Sequence, residues 1–131
     1  MKRGLLTLAA GLALMTASGA SAAPVTQDNF LLKTTGDLVN LCGADQKDPL
    51  YTAAVNFCHG FGVGTFRMVE IQEAASRVKR KQVCVANDPN ATRESAIAAF
   101  VAWAADKPKV LAAAPSDGFT EFLIAKFPCK K

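Results

Sequence analysis

From Leu50 to Val78 the apolar residues recur in alternating steps of four and three: Leu50, Ala54, Phe57, Phe61, Gly64, Met68, Ile71, Ala75 and Val78. That spacing belongs to an α-helix, because a strand would return to the same face every second residue. Asp48 is a good N-cap and Pro49 suits the first helical position, so the helix is expected to start there and run to about Val78. Cys58, Phe66 and Val69 widen the stripe. A long helix with a wide apolar stripe is the central element of a small bundle, and 131 residues allow one such domain. Gly60, Gly62 and Gly64 interrupt the run, at a cost of about 1 kcal/mol each relative to alanine. No strand precedes them and no Lys-Ser/Thr pair follows, so they are not a phosphate loop. Gly60 and Gly64 share one face, which predicts close approach of another helix there. On that reading Gly64→Leu overpacks the contact and costs about 1–3 kcal/mol.

Three shorter helices flank the long one. An arm over residues 24–34 leads to Thr34 and Asp37, spaced as a capping box, and a helix carrying Leu38, Val39 and Leu41 that stops at Cys42-Gly43. Thr92 or Asn90 opens a third helix with Ile97, Phe100, Val101 and Ala104 on one face; Lys107-Pro108 ends it. Val110 and Leu111 belong to the connection that follows. Pro115 opens a fourth helix with Phe119, Phe122, Leu123 and Ile124, which stops at Phe127-Pro128-Cys129. No segment reads as a strand. The expected fold is therefore all-α, a small bundle of about four helices stapled by disulfides.

The first 22 residues read as an address. A basic Met1-Lys2-Arg3 precedes an uncharged run from Leu5 to Met15 and small residues ending in Ala20-Ser21-Ala22, the pattern of a cleavable signal peptide. The run is shorter than the roughly 20 residues that span a bilayer. Cleavage after Ala22 leaves a single domain over residues 23–131 and places it in the periplasm, free of the membrane. All four cysteines, Cys42, Cys58, Cys84 and Cys129, follow the address, and an even count in an exported chain reads as two disulfides. Four cysteines permit three pairings.

Charge and chemistry exclude much. The net charge of +4 falls to +2 when Lys2 and Arg3 are removed, too weak a bias for nucleic-acid binding. His59 is the sole histidine, so no multi-histidine metal centre exists. Cys58 and His59 adjoin in sequence, but neighbours on a helix diverge by about 100°, and a Cys-His catalytic pair needs spatial adjacency and a third, orienting group. Glu70 and Glu73 have no histidine beside them and read as a solvated surface. No nucleophile has a base, so no enzyme and no cofactor is expected.

The landmarks together form a known pattern. Asp37-Leu38-Val39-x-Leu41-Cys42 is followed by Cys58-His59-Gly60-Phe61-Gly62-Val63-Gly64, then Val83-Cys84-Val85, Pro108-x-Val110-Leu111 and Phe127-Pro128-Cys129. The order and spacing resemble the Tai-like family of type VI secretion amidase immunity proteins. Val85-Ala86 departs from that family, which often has a proline there. The resemblance implies a periplasmic protein, often a homodimer, that binds a peptidoglycan amidase effector and blocks its catalytic cleft. Two other classes fit a small exported helical chain: a chaperone of the acid-stress type and an accessory protein of an envelope complex. An acid-switched chaperone is usually richer in carboxylates than a chain holding 11.

In an up-down bundle the end of the fourth helix returns to the start of the third. That expects Cys84 to pair with Cys129 and Cys42 with Cys58. For the partner-binding surface, the segment from Lys79 to Thr92 is favoured over the short polar Gly43–Lys47 loop. It is pinned by Cys84 and carries Lys79, Arg80, Lys81, Asn87 and Asp88. Arg77, Lys79, Arg80 and Lys81 also have a plainer role, as cations that complement the dipole at a helix C-terminus.

Overall fold

The computed structural model describes residues 23–76 and 80–130. The expected signal peptide, Val78 and Lys79 lie outside the described residues. The described chain forms α1 (Thr35–Cys42), α2 (Tyr51–Ala75), α3 (Arg93–Ala104), α4 (Pro108–Ala112) and α5 (Pro115–Lys126), with 3-10 turns at Gln27–Leu31 and Val85–Asn87. Among the described residues the extended pairing is a single bridge between Val83 and Pro128. The fold is all-α, as expected, with five helices among the described residues where the sequence suggests about four. The extra one, α4, forms because Pro108 is pre-shaped for a first helical turn and Val110 has core to enter.

The small helix α1 sits at the centre, packed on each of the other four. Its start is set by sequence. Thr34 Oγ1 accepts the Asp37 N–H, and the Asp37 carboxylate takes the Thr34 N–H at 2.9 Å. Asn29 Nδ2 donates to the same carboxylate at 3.1 Å, which ties the N-terminal arm to α1. Leu38 and Leu41 are fully buried. One disulfide joins Cys42, the last residue of α1, to Cys58 on α2. The other joins Cys84 to Cys129 across 45 residues, so α3, α4 and α5 all lie inside its loop.

The core between α2, α3 and α5 is aromatic. Phe100 meets Phe119 and Phe122 with ring centroids 4.8 and 5.4 Å apart, and Phe122 meets Phe127 at 6.1 Å. Such edge-on contacts favour aromatic clusters beyond their area alone. Of the apolar face expected on the fourth helix, Phe119, Phe122 and Leu123 are buried, while Ile124 looks outward.

The long helix differs from expectation at its ends and in its orientation. It begins at Tyr51, with Leu50 as its N-cap, and ends at Ala75. Asp48 is not the cap: its carboxylate takes the Leu50 N–H and the Val25 N–H, both at 2.8 Å, and so docks the arm onto the turn before α2. The face turned to the core is Ala54, Cys58, Gly62 and Val69. Phe57, Gly64, Met68 and Ile71, the middle of the four-three seam, are exposed. Cys58 decides this, because its bond to Cys42 turns that side of α2 inward. The close helix contact falls at Gly62, where a Cβ would meet Phe119 Cζ at 3.1 Å, and not at Gly60 or Gly64, around which the space is open. The expected cost of Gly64→Leu is therefore overturned.

The tightest backbone approach lies elsewhere, at Gly118 on α5. A Cβ there would stand 2.3 Å from Thr35 Oγ1 and 2.6 Å from Thr35 Cγ2. Thr35 cannot yield easily, since it is fully buried and its Oγ1 is shared between the carbonyls of Ala113 and Ala114. Two alanine substitutions separate these environments. Gly118→Ala should lose about 1–3 kcal/mol through overpacking. Gly64→Ala should gain up to about 1 kcal/mol from helix propensity. Urea unfolding of both variants reads the difference.

Asp37 also makes stability depend on pH. Burial pushes its carboxyl up, but hydrogen bonds from Asn29 and from the Thr34 N–H and hydroxyl outweigh this and hold it below its ordinary 3.8. A carboxyl lowered by folding contributes stability above its unfolded pKa and loses it as pH falls through the folded one. Wild type should therefore be more stable than Asp37→Asn at about pH 6, with the two converging as pH drops below the ordinary carboxylate range. Urea midpoints over that range test it.

Candidate partner-binding surface

After α2 the chain is held at three points. Glu73, on the last turn of α2, accepts the N–H groups of Gln82 and Val83 through one carboxylate oxygen, at 2.7 and 3.1 Å. Val83 bridges to Pro128 and the Cys84 N–H donates to the Phe127 carbonyl at 2.8 Å. Cys84 is then bonded to Cys129. From sequence Glu73 reads as plain surface. Its role depends on backbone N–H groups nine and ten residues further along, and no spacing rule for helices points to it.

The residues expected to bind a partner divide accordingly. Arg80, Lys81 and Asn87 are exposed on this segment. Asp88 is half-buried and shapes the turn: its carboxylate accepts the Asn90 N–H at 2.9 Å and its carbonyl accepts Ala91 N–H at 3.1 Å. The structure thus joins Arg80, Lys81 and Asn87 on one anchored loop and gives Asp88 a shaping role. Arg80 and Lys81 lie beyond Ala75, the last residue of α2, but the chain folds back so that Arg80 lines a shallow groove with Gln72, Glu73 and Ser76 at the C-terminal end of that helix.

The loop closes into α3 through reciprocal capping. Thr92 Oγ1 accepts the Ser95 N–H at 3.0 Å, and Ser95 Oγ accepts the Thr92 N–H at 2.9 Å. Beneath the loop is a pocket of about 160 Å³. Phe66, Phe119, Phe127, Val85 and Ile97 form apolar walls, and His59, Thr92 and Arg93 supply its polar groups. His59 has no thiol beside it, because Cys58 is spent in the disulfide.

A second feature is the outward face of α2. Met68 and Ile71 are 53% and 59% exposed, with Phe57 further along the helix and Ile124 of α5 across a shallow groove. No helix among the described residues is long and apolar enough to cross a membrane.

The model of a protein family, the Rap1a immunity proteins, matches residues 34–129. The chain belongs to the Rap1a immunity family. The matched span starts at the N-cap of α1 and ends at Cys129, so it holds both disulfides, the anchored loop and the pocket under it. Rap1a membership makes this a type VI secretion immunity protein, whose partner is a cognate effector. No curated protein and no solved structure matches the chain. A Rap1a surface built for one partner benefits from a loop that is already ordered, because ordering it on binding costs affinity.

Glu73 is the non-covalent part of that ordering. Glu73→Ala should remove about 1–2 kcal/mol of local stability. Native-state hydrogen exchange at Gln82 and Val83 should then speed up roughly tenfold, with little change in the core of α3.

Proposed function

We propose that this Rap1a protein works in the periplasm, where it binds a peptidoglycan amidase effector delivered by type VI secretion and occludes its catalytic cleft with the loop of residues 80–92. The observation that carries the reading is the anchoring of that loop. It is held by Glu73, by the Val83–Pro128 bridge and by the Cys84–Cys129 bond, yet presents Arg80, Lys81 and Asn87 to solvent. A loop can enter a cleft that a helix face cannot, and a pinned loop loses little entropy on docking. The paired cysteines suit an oxidising compartment, as does the signal-like pattern of the first 22 residues. An amidase that cuts the peptide stems of peptidoglycan meets its substrate in that compartment.

The cations give the loop a steering role toward an acidic cleft mouth. Charges at an interface rim act mainly on association. Reversal of Arg80 and Lys81 to Glu should slow association with the cognate amidase by roughly tenfold at low salt, and less at physiological salt. Thermal stability should be unchanged. Stopped-flow association at two ionic strengths, with cell survival on co-expression, is the measurement. Unchanged rates and protection would reduce these residues to solvated surface.

A homodimer fits the outward seam of α2. The exposed members of the four-three seam, Phe57, Gly64, Met68 and Ile71, keep the spacing by which two helices pack. Gly60 and Gly64 leave open space along it for a second helix to come close. Met68→Glu should therefore shift the protein to monomer in sedimentation equilibrium while leaving its helical content intact.

A further inference from the structure

We infer that the pocket beneath the loop is a socket for one aromatic side chain of the partner, a phenylalanine-sized ring with a carboxylate next to it. This rests on the immunity reading for the partner's identity, but the chemistry of the socket stands on its own geometry.

Size comes first. The pocket measures about 160 Å³ and opens to solvent, and a volume of about 150 Å³ is enough to hold a benzene ring. Shape and lining come next. Phe66, Phe119 and Phe127 present rings to it, and aromatic rings favour edge-on or offset contact with another ring. Phe119 and Phe127 are held in place by the core cluster behind them, so the walls are pre-formed.

Position and charge decide what occupies it. Val85 and Ala91 belong both to the anchored loop and to the pocket wall, so the socket is continuous with the proposed docking surface. Arg93 is exposed at its edge and forms no ion pair among the described residues. The neighbouring carboxylate, Glu94, lines the separate groove on the other side of His59, although Arg93 and His59 both act on it electrostatically. Arg93 is thus the charged group of the pocket lining itself, and an acidic residue flanking the incoming ring meets it there. Interfaces concentrate their energy in aromatic anchors that fill such pockets.

The test uses the whole mature protein and two probes, N-acetyl-Asp-Phe-amide and N-acetyl-Ala-Phe-amide, followed by NMR. Saturable shifts confined to His59, Val63, Val85, Ala91 and Ile97, stronger for the acidic probe, are expected. Arg93→Ala should erase the preference for the acidic probe. Ala96→Phe, which fills the pocket from α3, should abolish binding of both; Ala91→Phe does the same from the loop if the first variant fails to fold. Absence of saturable shifts at the pocket overturns the socket, and equal binding of both probes overturns its acidic preference. Against the cognate effector, Ala96→Phe should weaken affinity at least tenfold with the melting temperature maintained. If wild type and Ala96→Phe bind that effector equally, the socket is wrong and the immunity reading survives. If wild type binds no amidase effector while the probes still bind, the amidase reading fails and the socket stands.

Discussion

The contact between Thr35 and Gly118 is the constraint on which the assembly turns. Thr35 opens the central helix and is fully buried. Its N–H and hydroxyl engage the carbonyls just before α5, and the missing side chain at Gly118 lets the two backbones meet. A buried hydroxyl must find an acceptor, and Ala113 and Ala114 can offer theirs because they lie in the break between α4 and α5. That fixes where α5 begins. The angle of α5 then sets Phe119 against Gly62 and Phe122 against Phe100. From there Phe127 falls where it can accept from Cys84 and hold the loop. The candidate partner-binding surface is thus positioned by a chain of contacts that starts at a threonine on α1.

The elements themselves were legible. The Thr34–Asp37 capping box, the Thr92 cap, Pro115 at the start of α5 and the stop at Gly43 are local signals, and the structure places each where its chemistry demands. The all-α class followed from them. Two things were not legible. The inward face of α2 was misread because the helix is apolar nearly all round, so periodicity alone does not say which stripe meets the core. Small residues won: Ala54, Cys58 and Gly62 let α1, α3 and α5 approach, while the bulkier Met68 and Ile71 stayed outside. Gly118 gave no signal either, since its use depends on Thr35, more than eighty residues distant in sequence.

The candidate surface divides along the same line. The loop was visible as a polar, cysteine-pinned segment between two helices. The pocket beneath it was not, because its walls come from α2, α3 and α5 at once, and each wall residue reads singly as ordinary core. Glu73 was missed for a related reason. A carboxylate that accepts backbone N–H groups nine and ten residues further along resembles, in sequence, any solvent-facing glutamate.

The two disulfides enclose separate stretches, residues 42–58 and residues 84–129, with no overlap. Each stretch is a covalent ring, and a single backbone cut inside either ring leaves one connected molecule. Residues 59–83 are different, for they form the sole covalent link between the rings. A cut there frees α1 from the ring that holds α3, α4 and α5, and only packing keeps the two together. The molecule is in this sense two closed loops joined by one linking stretch, and that stretch carries both the exposed Met68 and Ile71 of α2 and the cations Arg80 and Lys81. The region proposed to face partners is thus also the stretch where one nick parts the two rings.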